Sequence, residues 1–246
     1  MDRMVYLAMS AAKQTMQAQA IATNNLANAT TVGFKADYDA YRSMPIFGEG
    51  MPTRVFALNE RPGINFDPGS IETTGNPLDV VVNDRGFFAV QTADGSQAYT
   101  RAGNFKLTVT GQLVTTDGLS VLGNGGPIAL PQAEEIVIGA DGTISIRPTG
   151  QDATTLAQLD RLRLVDPDIN SLIKGEDGLF RLRDGGVAPV SASVRVTAGA
   201  LERSNVNPVG ELISIIENAR NYERAVKAMS TAEENDAQAQ QILEIQ

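Results

Sequence analysis

The sequence predicts an α+β fold in which long N- and C-terminal helices pair as a coiled coil, with a central, mainly antiparallel β-domain of barrel- or sandwich-like type. Helical periodicity at both ends, alternation of apolar and polar residues between them, and regularly placed turn dipeptides predict this class. We divide the 246 residues into an N-terminal helical segment 1–32, an irregular, turn-rich connection 33–77, a β-domain 78–198 and a C-terminal helical segment 199–246.

The first segment has apolar residues every three or four positions from about Val5 to Ala27, which is typical of one face of an α-helix. An isolated helix with so few large aliphatic residues is marginal in water, so we expect closely approaching neighbours to cover it. The N-terminal sequence alone leaves open an ordinary helix docked on its own domain. The predicted stripe is Val5, Met9, Ala12, Met16, Ala20, Thr23 and Leu26.

The middle of the chain contains two regions with different residue patterns. Frequent glycine and proline in 33–77 oppose helices and allow only short strands. From Leu78 onward, short alternating segments predict strands, and Asp-Gly dipeptides predict hairpin-type turns because both residues tolerate positive φ. The dipeptides are Asp94-Gly95, Asp117-Gly118, Asp141-Gly142, Asp177-Gly178 and Asp184-Gly185.

The C-terminal segment predicts a helix with Asn207 as N-cap and Pro208 at its first position. At 1.5 Å per residue it would run about 58 Å, too long for one small β-domain to cover. Its apolar seam is heptad-like, is interrupted at 233–236 and resumes near Leu243. We therefore expect subunit contacts through Leu212, Ile215, Ile216, Ala219, Tyr222, Val226, Met229 and Leu243.

The composition excludes several chemistries. The chain has no Cys, His or Trp, which removes disulfides, zinc–thiolate sites and imidazole catalysis. A net charge of −9 argues against a nucleic-acid surface, which needs clustered cations. We predict no catalytic residue, no metal site, no cofactor and no small-molecule substrate.

Two acidic features resemble sites only in part. Asp166, Asp168 and Asn170 have the spacing of a calcium loop, but Ser171 occupies the position that requires glycine, so we favour a capped turn. Glu134-Glu135 supplies two carboxylates, the pair that a glycosidase uses. Neighbouring residues in a strand point to opposite faces, so surface positions are the better interpretation.

Two separated motifs resemble a known family. Asn24, Asn25, Leu26, Ala27 and Asn28, followed by Gly33, Phe34 and Lys35, resemble the N-terminal signature of the flagellar rod, hook and hook-associated proteins. The segment 199–206, with Leu201, Ser204, Asn205 and Val206, is similar to the C-terminal signature of that family. Segments 86–90, 99–105 and 111–114 between them resemble its shared β-domain.

The resemblance implies a structural subunit that polymerises through paired terminal helices around an export channel. Segments 205–209 and 229–235 resemble the proximal-rod members; a distal-rod protein or another rod or hook member is the nearest alternative. The implied partners are copies of the chain, other rod proteins and the flagellar export apparatus.

The sequence has no run near the roughly 20 apolar residues that span a bilayer, and no N-terminal signal peptide is predicted. The resemblance therefore implies type III export without a cleaved signal, into a rod that spans the periplasm. The absence of Cys suits that oxidising compartment. Two other classes are weaker alternatives: an adhesin with a trimeric stalk, and a secreted hydrolase that depends on carboxylates.

Overall fold

The computed structural model of the chain describes residues 4–45, 55–83, 85–148 and 156–244. Two α-helices lie at the ends of this region, α1 (Met4–Ala27) and α2 (Pro208–Glu244). Among the described residues, neither helix is both long enough and apolar enough to cross a bilayer.

Short strands fill the region between the helices, with one 3₁₀ turn at Ile169–Ser171. In chain order they are β1 (Asp37–Pro45), β2 (Val55–Ile64), β3 (Ile71–Thr73), β4 (Val80–Val82), β5 (Phe87–Gln91), β6 (Gln97–Thr100), β7 (Lys106–Leu107), β8 (Leu113–Val114), β9 (Ser120–Val121), β10 (Ala133–Ile138), β11 (Thr143–Pro148), β12 (Ala157–Arg161), β13 (Leu164–Val165), β14 (Leu172–Lys174), β15 (Phe180–Leu182), β16 (Val196–Ala198) and β17 (Ala200–Glu202).

The chain divides into two compact units, neither of which is one continuous segment. The helical unit comprises 1–29, 36–65 and 206–246 and contains α1, α2 and the antiparallel hairpin β1–β2. The β unit comprises 30–35 and 66–205 and contains the other strands.

The helical unit is an antiparallel pair of helices with the hairpin packed on α1. Asn25 in the last turn of α1 donates a hydrogen bond to Glu211 in the first turn of α2, which fixes the antiparallel direction. The predicted start of α2 is confirmed, because Asn207 Oδ1 accepts hydrogen bonds from the backbone N–H groups of Val209 (3.2 Å) and Gly210 (3.3 Å).

The predicted coiled coil was wrong. A coiled coil buries large side chains as knobs in the facing helix, whereas the residues of these helices that are buried here are mainly alanines. Large seam residues such as Leu212 and Val226 are exposed instead. Alanine lets two backbones approach closely and leaves the bulky residues outside the contact. The buried alanines are Ala8, Ala12 and Ala22 of α1 and Ala225 and Ala232 of α2.

The hairpin β1–β2 and strand β3 lie inside the segment 33–77, which the sequence predicts to be irregular. Pro45 ends β1 and Pro62 lies within β2. Both strands of a two-stranded hairpin are edges, where a missing N–H need not break a ladder bond. Proline density therefore did not exclude strands there.

The strands of the β unit form several separate sheets, so the barrel form of the prediction is not found, whereas the antiparallel pairing is. Every strand pair in the described residues is antiparallel, but the pairs of this unit belong to four separate sheets. The largest has the order β14-β15-β6-β5-β9-β8-β7, with β13 also paired to β5. The smaller ones are β10-β11-β12, β16-β4 and β17-β3.

The Asp-Gly turns are confirmed. Four of the five dipeptides connect consecutive, mutually paired strands, and in all five the glycine has a φ between 72° and 85°. In four of the five turns (those at Asp94, Asp141, Asp177 and Asp184) the aspartate Oδ1 accepts the N–H two residues later, which is the Asx-turn bond that favours this dipeptide.

The core of the β unit joins side chains from several of its sheets. The rings of Phe66, Phe87 and Phe180 lie 5.2 to 6.1 Å apart between centroids and form an aromatic group. The main aliphatic cluster contains Val80, Val82, Phe88, Phe105, Leu113, Val121, Ile128, Leu130, Ile138, Ile144, Ile146, Leu162, Leu164, Val194 and Val196.

We expect Tyr99→Phe to lower the free energy of unfolding by about 1–3 kcal/mol, because a buried donor loses its acceptor. The fully buried Tyr99 hydroxyl accepts the N–H of Ala188 at 2.6 Å. Urea denaturation measures the change, and Tyr222→Phe, at an exposed tyrosine of α2, is the control. Equal unfolding midpoints for the two variants would contradict the prediction.

Candidate assembly site

The first signature, Asn24 to Asn28, forms the C-terminal end of α1. The carbonyl oxygen of Asn24 accepts both the backbone N–H of Asn28 (3.1 Å) and its side-chain Nδ2 (2.9 Å). These bonds satisfy a carbonyl that the ended helix would otherwise leave unpaired. Leu26 is half-buried, and Ala27, the last helical residue, is exposed.

Asn25 joins three elements of the helical unit through one side chain, which is 2% exposed. Its Oδ1 accepts the N–H of Asp37 at 2.9 Å, and its Nδ2 donates to the carbonyl of Asp37 at 2.8 Å. Nδ2 also donates to Glu211 Oε1 at 3.1 Å. Only an amide side chain offers an acceptor and two donors in this arrangement. The pairing attaches β1 and α2 to the end of α1.

The second part of the N-terminal signature lies in the β unit, against β17. Gly33 has a φ of +69° and donates its N–H to the carbonyl of Glu202 at 2.8 Å. A Cβ at Gly33 would lie 2.4 Å from backbone atoms of Arg101 and Ala102, so no other residue fits.

Phe34 is fixed on two sides within the β unit. Its carbonyl accepts the N–H of Asn205 at 3.4 Å. The ammonium group of Lys174 lies 3.8 Å from the centroid of its ring, a cation–π contact, and donates to the carbonyl of Lys35 at 2.8 Å.

A charge cluster of Lys35, Arg101 and Glu202 is buried beside this contact, with each side chain at most 5% exposed. Lys35 Nζ donates to Glu202 Oε1 at 2.7 Å, and Arg101 Nε lies 3.2 Å from Oε2. The N–H of Gly69 also donates to Oε1, at 3.0 Å. One carboxylate thus compensates two cations from distant parts of the chain.

Backbone carbonyls complete the solvation of both cations. Lys35 Nζ donates to the carbonyl of Asp67 at 2.8 Å, and Arg101 donates to that of Gly86 at 2.9 Å. Burial lowers the pKa of Lys35, and the hydrogen bond and charge of Glu202 oppose that shift. The cluster is therefore stable only as a complete set, since removing the carboxylate would leave two buried positive charges.

The C-terminal signature supplies the other half of these contacts. Leu201 is half-buried on β17, and Ser204 is buried. Asn205 donates from Nδ2 to the carbonyl of Asp67 at 2.9 Å. Val206, the next residue, is buried in the helical unit. The two predicted signatures thus meet in the β unit, through Gly33 and Phe34 on one side and Glu202 and Asn205 on the other.

The predicted seam of α2 faces outward for much of its length. Ile215 and Met229 are half-buried. Leu243 lies in α2, but its side chain falls outside the described residues. The exposed apolar surface of α2 consists of Val209, Leu212, Ile213, Ile216, Tyr222 and Val226, which are 37–65% exposed.

The acidic motifs do not assemble a site in the described part of the chain, where no group of three or more potential metal-ligating side chains lies together. Asp168 caps the 3₁₀ turn by accepting the N–H of Asn170. Glu134 and Glu135 form ion pairs with Arg147 at 3.6 and 3.2 Å on a partly exposed face.

The buried charged groups of the site are ones that sequence reasoning did not select as site residues. Lys35, Arg101 and Glu202 each lie inside a segment that resembles the family. The only sequence signal for their role was a charged residue within such a segment. No sequence signal marked Asp37 and Glu211, the partners of Asn25. Asp37 binds through its backbone atoms, and Glu211 reaches Asn25 only because the two helices are antiparallel.

We expect Asn25→Asp to lower the free energy of unfolding of the helical unit by at least about 2 kcal/mol. The new carboxylate oxygen would face the carbonyl of Asp37 and the carboxylate of Glu211 with no proton to share. Loss of helical circular dichroism in urea measures this. Asn24→Asp, at the exposed neighbour, is the matched control, and an equal loss in both variants would refute the role of Asn25.

We expect Glu202→Gln to cost about 3–5 kcal/mol, because Lys35 and Arg101 remain buried without a counter-charge. Glu72→Gln breaks the exposed ion pair with Arg203 and should cost less than about 1 kcal/mol. Chemical denaturation followed by tyrosine fluorescence compares the two. A cost for Glu202→Gln no larger than that for Glu72→Gln would show that the cluster contributes little.

Comparison with known proteins identifies the family. Residues 6–35 match the family model described as flagella basal body rod protein, residues 81–146 the D1 domain of the flagellar hook protein FlgE/F/G, and residues 197–242 the C-terminal region of the flagellar basal body rod FlgEFG proteins. The first and third of these ranges contain the two signatures that the β unit brings together.

Relatives match the chain over nearly its whole length. The flagellar basal-body rod protein FlgF of Salmonella typhimurium is 42% identical and that of Escherichia coli 43% identical, each over 99% of both chains. The flagellar basal-body rod protein FlgG of Bacillus subtilis is 32% identical over 95% of this chain and 96% of its own. The chain therefore belongs to the flagellar basal-body rod protein family, in which it is a FlgF-like member.

Proposed function

We propose that this protein is a structural subunit of the proximal rod of the flagellar basal body and that it polymerises through its terminal helices into a hollow shaft. The observation that carries the proposal is the apolar surface left on the paired helices of a chain that resembles rod proteins from end to end. No catalytic activity, cofactor or small-molecule substrate enters this function.

The exposed apolar surface of α2 is the expected subunit interface. At 100° per residue, Leu212, Ile216 and Val226 lie on the side of α2 away from the buried Ala225 and Ala232. Several large apolar side chains exposed on one helix indicate an interaction site. Tyr6, Met9 and Met16 of α1 are 55–59% exposed and add apolar residues to the same unit. Helices of neighbouring subunits would cover these side chains.

The alanine contact between α1 and α2 supports a second part of the proposal, that the helices become fully ordered on joining the rod. Small side chains bury little apolar area, and hydrophobic stabilisation scales with that area. The free subunit therefore gains little to offset the entropy of ordering two long helices. In dilute monomer we expect hydrogen exchange to be faster in the helices than in the β unit, with the helices still folded; equal protection of the two units would refute this part.

The partners are copies of the chain, other rod proteins and the flagellar export apparatus, and the rod would lie in the periplasm after export without signal cleavage. The distal rod is the alternative position. The FlgF proteins of Salmonella typhimurium and Escherichia coli, at 42% and 43% identity, are more similar to the chain than the FlgG of Bacillus subtilis at 32%, which favours the proximal rod.

Electron microscopy of basal bodies from a strain that lacks the gene, beside a complemented strain, tests the role directly. Loss of the rod beyond its base, restored by complementation, is expected. Intact rods and hooks without the gene would refute the proposal.

We expect Leu212→Asp or Ile216→Asp to abolish motility and rod assembly while leaving the monomer folded, because the carboxylate would be buried only in the assembled interface. Arg224→Asp places the same group at an exposed polar position of α2 and should assemble. Motility in soft agar, rod microscopy and circular dichroism of the purified monomers check the three variants. Normal rods from Leu212→Asp would refute the assignment of this surface.

A further inference from the structure

We propose that Asn124 is a site of spontaneous covalent modification, in which the backbone nitrogen of Gly125 attacks the asparagine side chain and converts it to aspartate or isoaspartate. The reaction needs no enzyme and no partner, so it does not depend on the proposed function. Asn124 lies in the bend that follows β9 in the β unit, and Asn124-Gly125 is the only Asn-Gly dipeptide of the sequence.

The proposed reaction conserves all atoms and involves no oxidation or reduction. A bond forms between the Gly125 nitrogen and Cγ of Asn124, and the bond from Cγ to Nδ2 breaks. Nδ2 leaves as ammonia and takes the proton of the Gly125 N–H, which leaves a cyclic succinimide. Water then opens the ring at either of its two carbonyl carbons and gives aspartate or isoaspartate, each with one more negative charge than asparagine. Because both reacting groups belong to adjacent residues, their effective concentration is high.

The backbone nitrogen of Gly125 is accessible for this attack. Its N–H donates no hydrogen bond to any described residue. Apart from its two neighbours in the chain, a Cβ at Gly125 would have one atom within 4 Å, Asp160 Oδ2 at 3.8 Å. Glycine also has no side chain of its own to obstruct the approach of Cγ. The attacking nitrogen is therefore neither hydrogen-bonded nor shielded.

The side chain of Asn124 is also available, which a comparison with Asn170 makes clear. Both asparagines are exposed, but the Asn124 amide makes no hydrogen bond within the described chain. The Asn170 amide donates to Asp168 Oδ1 at 3.2 Å, and the N–H of the following Ser171 donates to the Asp168 carbonyl at 2.9 Å. The two reacting groups are therefore both hydrogen-bonded at Asn170 and both unbonded at Asn124.

The backbone on both sides of the reactive peptide is held in place. Gly123 donates its N–H to the carbonyl of Gly126 at 2.7 Å, and Asn124 donates its N–H to the carbonyl of Arg161 at 3.1 Å. These bonds keep the bend at the surface of the folded β unit. The peptide between Asn124 and Gly125 lies inside this frame, and it can rotate towards the attacking geometry without breaking either bond.

Either product would change the β unit locally. Isoaspartate lengthens the backbone by one methylene group inside the bend that the bond from Gly123 to Gly126 closes. The new carboxylate would also lie near Asp160, so two negative charges would repel each other. Both changes weaken the bend, whose ends pair through Leu122 and Pro127.

Incubation of the purified full chain at physiological temperature and mildly alkaline pH, followed by mass spectrometry of its proteolytic peptides, tests the proposal. We expect conversion of Asn124 to be at least about tenfold faster than that of Asn170, because Ser171 has a Cβ and a hydrogen-bonded N–H. The rate should rise with pH, because the attack uses the deprotonated nitrogen. Equal rates at the two asparagines, or an unmodified Asn124, would overturn the proposal.

Gly125→Ala is the matched variant. The φ of Gly125 lies outside the left-handed region and its Cβ position is open, so alanine fits there without strain. The variant should keep the unfolding midpoint of the parent and modify Asn124 at least about tenfold more slowly, because the new Cβ obstructs the attacking nitrogen. Undiminished modification in this variant would overturn the proposal. The comparison with Asn170 uses the parent chain and does not depend on how well the variant folds.

The consequence for the fold has a separate readout. Chain that has been aged until Asn124 is converted should elute as a more acidic species on ion exchange and should unfold at a lower urea concentration than fresh chain. Asn124→Asp carries the new charge without the extra methylene group, so it separates the two effects. Converted chain that unfolds at the same midpoint as fresh chain would overturn this consequence and leave the modification site itself intact.

Discussion

The carboxylate of Glu202 is the group on which the rest of the β unit depends. It comes from the C-terminal signature, Lys35 from the N-terminal one and Arg101 from the β-domain between them, so one side chain connects three parts of the sequence that are far apart. Burying charges is expensive unless they are paired. The cost of burying these charges is therefore offset only when all three segments are in place. The cluster thus disfavours incorrect arrangements of the chain. The backbone contacts of Gly33 and Asn205 lie beside it.

The helical unit is held together differently, by small apolar side chains instead of a buried charge cluster. Its internal contact uses alanines, and its large aliphatic residues face outward. A monomeric protein would place Leu212 and Ile216 inside, because burying such side chains stabilises a fold by about 1.5–3 kcal/mol each. Under the proposed function, leaving them outside keeps that energy for contacts between subunits. The polar bridge at Asn25 then specifies the alignment of α1, β1 and α2 without consuming this apolar surface.

The sequence predicted those elements whose signals are local. The N-cap at Asn207, the Asp-Gly turns and the positions of both helices depend on residues within a few positions of each other. The coiled coil was wrong because periodicity identifies an apolar stripe but not what covers it. The stripe through Leu212 and Val226 faces outward, and alanines, weak in any hydropathy pattern, make the contact. The hairpin β1–β2 was hidden by proline and glycine, and the partners of Glu202 and Asn25 depend on the tertiary structure.

The discontinuity of the two units constrains the order in which the protein completes its fold. Segment 30–35 belongs to the β unit, while both termini belong to the helical unit. During synthesis, which begins at the N-terminus, Lys35 and Arg101 are exposed long before residue 202 arrives with their counter-charge. Strand β3 likewise cannot pair until β17 is present, and α1 cannot pack until α2 is present. Neither unit can be completed until most of the polypeptide has been made, so the topology itself delays folding until the C-terminal segments are available.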